Sequence, residues 1–213
     1  MTNFIPLFPL SIVVYPGEQL NLHIFEPRYK QLISDCNNTK KNFGIPSVLN
    51  GEVAEFGTLM EITEISKVYE DGKMDIKTKG IAVFKILEIV KDLPDKLFSG
   101  AIVTYPQNFM RDGKPSLMKK VLAGIREIHK RLNVFKEFDK PDAQLVSYDV
   151  AHHAGMSIEE EYFMLQLTQE IQRQEYLKRH ISKILPVLGE MESLKKKIKL
   201  NGHCKNSEGF NLS

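Results

Sequence analysis

Residues 4–30, FIPLFPLSIVVYPGEQLNLHIFEPRYK, constrain this chain more than any other stretch. Residues 1–17 carry no charged side chain, and Pro6, Pro9, Pro16 and Pro27 cut the stretch into pieces. Each proline fixes φ and lacks an N–H, so no regular helix or central strand runs through it. The pieces between are β-prone: residues 10–15 hold Ile12, Val13, Val14 and Tyr15, and Pro16-Gly17 predicts a turn. Leu20, Leu22 and Ile24 alternate with Asn21, His23 and Phe25, the period-2 pattern of a half-buried strand. Glu26-Pro27 ends that strand. Proline suits the first turn of a helix, and Tyr29, Leu32, Ile33 and Cys36 follow at helical spacing. That helix is expected to end near Asn37-Asn38.

Strand patterns continue to residue 105. Residues 43–49 are strand pieces broken by Pro46, the mark of an edge or bend. Residues 57–69 are β-rich, but their alternation slips near Glu64-Ile65, which predicts a β-bulge. Asp71-Gly72 predicts a hairpin with a type I′ turn. After it Met74, Ile76 and Thr78 take one face and Lys73, Asp75, Lys77 and Lys79 the other. Gly80 predicts a kink before a separate strand over 81–90, and 98–105 forms the last strand. About six strands with one inserted helix suggest a small closed or semi-closed β-barrel over residues 1–108.

Composition changes at residues 106–115, PQNFMRDGKP, which read as a linker. Leu117, Val121, Ile125, Ile128 and Leu132 then predict an amphipathic helix over 116–133. A second helix is expected over 142–154, stopped by Gly155. Ser157 with Glu160 is a capping-box signature, and Thr168 is a candidate cap for a long apolar-striped segment that Pro186 is expected to kink or split. Residues 109–200 therefore read as a helical bundle, and 201–213, polar and Gly-containing, as a disordered tail. The fold class expected is α+β.

The chain has 213 residues, long enough to bury about 70% of its unfolded surface without a disulfide or metal staple. Its net charge of +2 argues neither for nucleic acid nor for an anionic membrane. Residues 1–108 hold 11 Lys+Arg against 13 Asp+Glu, while the remainder holds 18 against 14. Cys36 lies on the apolar face of the first predicted helix and Cys204 in the polar tail, so a reducing cytoplasm fits better than a disulfide framework. The N-terminus lacks a basic n-region and is interrupted by proline, unlike a signal peptide. No stretch approaches the ~20 apolar residues of a membrane span.

Several of these motifs resemble one family. Pro6–Leu10 (PLFPL), Tyr15-Pro16-Gly17 and Leu22–Tyr29 (LHIFEPRY) resemble the opening of the Lon protease N-terminal domain. Tyr15 stands where Phe is usual and Asn21 where Pro is usual. Gly57-Thr58, Asp71-Gly72, and Gly80 with Phe84 continue the resemblance, whereas Val83 replaces a frequent Arg and Phe98 a frequent Tyr. Ala151–Ser157, Arg173-Gln174 and Ile184–Leu188 resemble the helical bundle of stand-alone relatives. The resemblance covers residues 4–200 and implies a PUA-like barrel followed by that bundle. It also implies substrate recognition without catalysis, by a member lacking the ATPase and peptidase domains.

The motif search agrees with that implication. No glycine has another five residues on, so the phosphate-cradling P-loop is absent, as is a G-x-S-x-G elbow. His152-His153 point about 100° apart on a helix and do not readily share one ion. His203-Cys204 lacks partner spacing, and Glu159–Glu161 open a helix, where acidic groups complement the dipole. No catalytic residue, cofactor or metal is expected. The candidate binding or corner-fixing residues are His23, Glu26, Arg28 and Tyr29 at the strand-to-helix junction.

Three functions follow. The favoured one is a non-catalytic recognition module for unfolded or partly folded protein segments. Other components of the proteolysis pathway are further partners, and an adaptor or chaperone-like role in quality control is its setting. RNA binding is the alternative, since PUA-like barrels occur in RNA-binding proteins, but basic and aromatic residues are not clustered here. An accessory subunit or peptidase of ATP-dependent proteolysis is the third.

Overall fold

The structure, a computed structural model, describes residues 2–203, with side chains characterised from Thr2 to Lys199. Six strands and five α-helices alternate only at the start of the chain. Strands β1 (Thr2–Pro6) and β2 (Gln19–Ile24) are followed by helix α1 (Pro27–Thr39). Then come β3 (Phe43–Leu49), β4 (Glu52–Val68), β5 (Met74–Val90) and β6 (Gly100–Thr104). The sheet is antiparallel, in the order β1-β6-β5-β4-β3, with β2 also paired to β5.

The ladders do not close into the expected barrel. β1 and β3 stand at opposite ends of the path, linked only by isolated parallel bridges, Leu7 to Gly44 and Leu10 to Ser47. The prolines supply the reason: Pro6, Pro9 and Pro46 have no N–H to donate, so a continuous ladder cannot form along that seam. Phe8 N–H still donates to Gly44 O at 2.8 Å and Val48 N–H to Leu10 O at 2.8 Å.

Other expectations shift in instructive ways. Residues 11–15 form no strand, although Val13, Val14 and Tyr15 are buried. The Asp71-Gly72 hairpin exists, but only Gly72 takes positive φ, at 77°, so the turn is not type I′. Gly72 N–H instead donates to Tyr69 O, and Tyr69 N–H to Lys73 O. The slip near Glu64 is present, with further register shifts at Leu59/Met60 and Ile65/Lys67. Gly80 does not divide β5. A Cβ there would lie 2.4 Å from Tyr15 O, so glycine admits close backbone approach rather than a strand break.

The second half comprises α2 (Pro115–Leu132), α3 (Ser147–Val150), α4 (Ile158–Gln166) and α5 (Glu170–His203). The single helix expected over 142–154 is instead α3 between two 3-10 turns, Asp142–Gln144 and Ala151–His153. The Ser157–Glu160 capping box is present on α4. Pro186 lies inside α5 without dividing it. Of the tail expected to be disordered, Asn201, Gly202 and His203 belong to α5, and the rest lies outside the described residues. That part includes Cys204.

The sheet half buries Phe43, Met60, Ile76 and Ile24 against Leu32 and Ile33 of α1. A separate core joins both halves: Val13, Tyr15 and Val83 pack with Val121, Ile125, Met164, Leu177 and others. Gly124 of α2 lets α5 approach, since a Cβ there would lie 2.5 Å from Ile181 Cγ2. No helix of the described residues is long and apolar enough to cross a membrane.

Candidate functional site

The four residues singled out at the β2–α1 junction do different jobs. His23 pairs directly across the ladder with Asp75, and its Nδ1 lies 2.6 Å from Asp75 Oδ1. Tyr69 OH donates to the other oxygen of Asp75 at 2.7 Å. The His23 and Tyr69 hydrogen bonds hold the Asp75 carboxyl below its ordinary range. Arg28 donates from Nε to Glu26 Oε2 at 2.8 Å and lies over the Tyr29 ring, 4.5 Å from its centroid. Tyr29 is buried and stacks on Phe8 with centroids 3.9 Å apart. The junction thus holds two local polar pairs and one core aromatic.

A concavity with a volume of about 660 Å³ lies between the two halves. The Pro16–Gln19 turn forms one wall; Tyr148, Asp149, His152 and the strap of residues 136–140 form the other. Pro16-Gly17 shapes the first wall as the sequence predicts, with Gly17 at φ 92° and its N–H donating to Gly80 O. Glu18 then folds back, its carboxylate accepting from Tyr15 N–H at 2.9 Å.

His152 connects the walls. Its Nδ1 lies 2.8 Å from Glu161 Oε1 and its Nε2 3.2 Å from Glu18 Oε2. With a carboxylate on each nitrogen, the doubly protonated ring donates to both. Burial alone would depress its pKa, but the hydrogen bonds and charges of Glu161 and Glu18 outweigh it and raise the value to about 9. Its neighbour His153 behaves oppositely. Burial, with Lys136, His129 and His152 nearby, pulls His153 down to about 4, so it is neutral at pH 7. The two rings face different surroundings, His152 against Tyr15 and His153 against Phe138 and His129.

The strap has an unusual backbone. From Phe135 to Lys140 no N–H donates to a partner among the described residues. Its ends are tied: Val134 N–H donates to His129 O, and Lys140 Nζ reaches Asp149 Oδ1 at 2.6 Å. Phe135 is 98% exposed, while Phe138 packs against the shared core.

Beneath the linker lies a buried polar cluster. Arg173 is fully buried and donates to Asn108 Oδ1, Leu167 O, Phe109 O, Ser147 Oγ and Glu170 Oε2. Glu170 also accepts from Ser147 N–H at 2.7 Å and Gln174 Nε2 at 3.1 Å. Every donor meets an acceptor, so this cluster holds the linker and α3 onto α5 rather than waiting for a ligand. A second concavity, about 700 Å³, opens beside it along Met110, Met118 and Leu145.

The sequence reading missed Glu18 and the Arg173 cluster. His152 reads from sequence as a helix-surface or packing histidine in preference to a metal ligand, with no sign of its carboxylate partners. Among the described residues no group of His, Cys, Asp and Glu is arranged to hold a metal ion. The available signal was Glu170 and Arg173 at i and i+3 in an otherwise apolar-striped helix, where a buried pair and an exposed pair look alike.

Comparison with known proteins adds the decisive observation. The model of the ATP-dependent protease La (LON) substrate-binding domain matches residues 5–183. The chain belongs to this family. Its fold is similar to that of the Lon N-terminal domain protein from Xanthomonas campestris, with TM-score 0.64 and 24% identity, covering 82% of this chain and 96% of that one. It is also similar to the N-terminal domain of Mycobacterium avium complex Lon protease, with TM-score 0.59 and 12% identity, covering 84% and 98%. Among curated proteins, a Schizosaccharomyces pombe LON peptidase N-terminal domain and RING finger protein is 28% identical over 109 residues. That match covers 42% of this chain and 22% of the relative. Within the LON substrate-binding family, then, this chain carries the strand-and-helix frame, with Tyr15 and His152 at the join between its halves.

Proposed function

We propose that the chain is a non-catalytic recognition module for unfolded or partly folded protein segments, docked in the crevice between the halves. The observation carrying this reading is the strap of residues 136–140, preceded in the chain by the exposed Phe135 ring. The strap's unpaired backbone N–H groups border a cleft that also offers the half-buried Phe138 ring. An extended peptide satisfies such donors with its own carbonyls and gains affinity without demanding one sequence. Membership of a substrate-binding family supports the same reading.

On this reading the sheet half is a PUA-like barrel completed by the bridges along its proline seam. Residues 109–200 work with it as a bundle. His23, Glu26, Arg28 and Tyr29 fix the corner that feeds the first core. The setting is cytoplasmic protein quality control, where the module acts as an adaptor alongside other proteolysis components.

Fluorescence anisotropy with several labelled unfolded polypeptides tests the proposal without nucleotide. Binding is expected, and Phe135→Asp is expected to weaken it about fivefold, the loss of roughly 1 kcal/mol of apolar contact. Because Phe135 is exposed, this change leaves the fold intact. No binding to any of the polypeptides, or full binding by Phe135→Asp, overturns the proposal.

A further inference from the structure

Among the described residues, nothing covers the last part of α5. α2 ends at Leu132, where Arg131 Nη1 donates to Leu185 O at 3.2 Å. Leu188 still packs against the shared core and Gly189 lies beside Arg131, but past Gly189 α5 continues alone among the described residues, and from Glu190 to Lys199 only Glu192 is even partly shielded. Yet this exposed segment carries an apolar stripe: Val187, Met191, Leu194 and Ile198 are 54%, 50%, 59% and 62% exposed. Their spacing of four, three and four residues is that of a coiled-coil seam.

Charge limits what covers the seam. Glu190 and Glu192 lie at its inner end; Lys195, Lys196, Lys197 and Lys199 lie at its outer end. None of these side chains has an ion-pair partner among the described residues. We propose that the seam pairs with the same seam of a second copy, antiparallel. In that register Val187 faces Ile198 of the other copy and Met191 faces Leu194. Glu190 then stands beside Lys197 of the other copy, twice by symmetry, in the flanking positions that set orientation. Each basic end lies along the acidic end opposite. A parallel pair would set the two lysine clusters side by side.

The contact is short, four apolar layers, so the dimer is weak, with a dissociation constant of about 1–100 µM. Sedimentation equilibrium of the full chain from about 1 to 300 µM, a range that brackets such a constant, is expected to show monomer and dimer. Leu194→Glu with Ile198→Glu is expected to be monomeric throughout, with an unchanged near-UV spectrum. Glu190→Lys is expected to weaken the dimer about tenfold, and adding Lys197→Glu to restore it. The restoration discriminates orientation, since in a parallel pair residue 190 sits beside Lys195 and the second change brings no relief. A wild-type chain that stays monomeric overturns the proposal, whatever else binds the seam. So does a dimer that survives the double glutamate variant, or one that the paired charge swap fails to restore.

Discussion

The two halves of this molecule are held together by different physics. The sheet half rests on apolar side chains and ladder hydrogen bonds; its ion pairs lie at the surface, Lys77–Glu64 with both side chains more than half exposed, and contribute little. The helical half adds a fully buried guanidinium with its carboxylate, amide and carbonyl partners. The first kind of half tolerates the loss of its surface polar pairs. The second does not, because removing one member strands the others without water.

The largest test of this contrast is Arg173→Met. It leaves Glu170 buried without its cation, and breaking such a pair costs about 3–5 kcal/mol. For a chain of this size each kcal/mol moves Tm by about 2–4 °C, so a fall near 10 °C is expected by circular dichroism. A fall under about 3 °C would show that the cluster is not what holds the linker.

Ile33→Ala probes the other half. Ile33 is fully buried in the α1–sheet core, and truncation there is expected to cost about 2–5 kcal/mol in chemical denaturation. Hydrogen exchange sharpens the comparison. Arg173→Met should speed exchange first in α3 and α5, and Ile33→Ala first in α1 and β3.

The paired histidines give a pH test of the join. The folded pKa of His152 is raised, so its contribution is fully present below the unfolded value near 6.5 and is lost as pH climbs towards about 9. The folded pKa of His153 is depressed to about 4, so it destabilises as pH falls from the same unfolded value. Stability from this pair therefore peaks near neutrality. His152→Gln is expected to flatten the alkaline limb of Tm against pH and leave the acid limb. NMR titration should show two adjacent rings shifted in opposite directions; two ordinary values would remove the clamp.

The smallest expected effect is at the α4 cap. Ser157 Oγ accepts from Glu160 N–H at 3.3 Å, and Ser157→Ala is expected to cost about 1 kcal/mol by chemical denaturation.

What the sequence makes legible follows the same division. Period-2 alternation placed β2 and the buried face of β5, and Pro27 with the Tyr29–Cys36 spacing placed α1, because each of these elements buries a side determined by local pattern. Residues 11–15 misled: their β-prone side chains are buried against two halves at once, and the prolines beside them deny a ladder. The helix expected over 142–154 broke into turns: Asp149 caps locally by accepting from Val146 N–H, while Ser147 donates from its N–H and Oγ to Glu170 of α5, a contact set by a residue far along the chain. The crevice between the halves has no local sequence pattern of its own. Its Glu18–His152 contact spans 134 residues and leaves no local trace.

β5 has neighbours on every side: β2, β4 and β6 all pair with it. Its two ends serve different companions, Met74–Lys79 facing β2 and Lys85–Val90 facing β6. A single continuous strand is thus the common spine on which β2, β4 and β6 are built. Splitting the polypeptide for complementation, or inserting a tag, has room at the Asn50-Gly51 turn but none between residues 74 and 90.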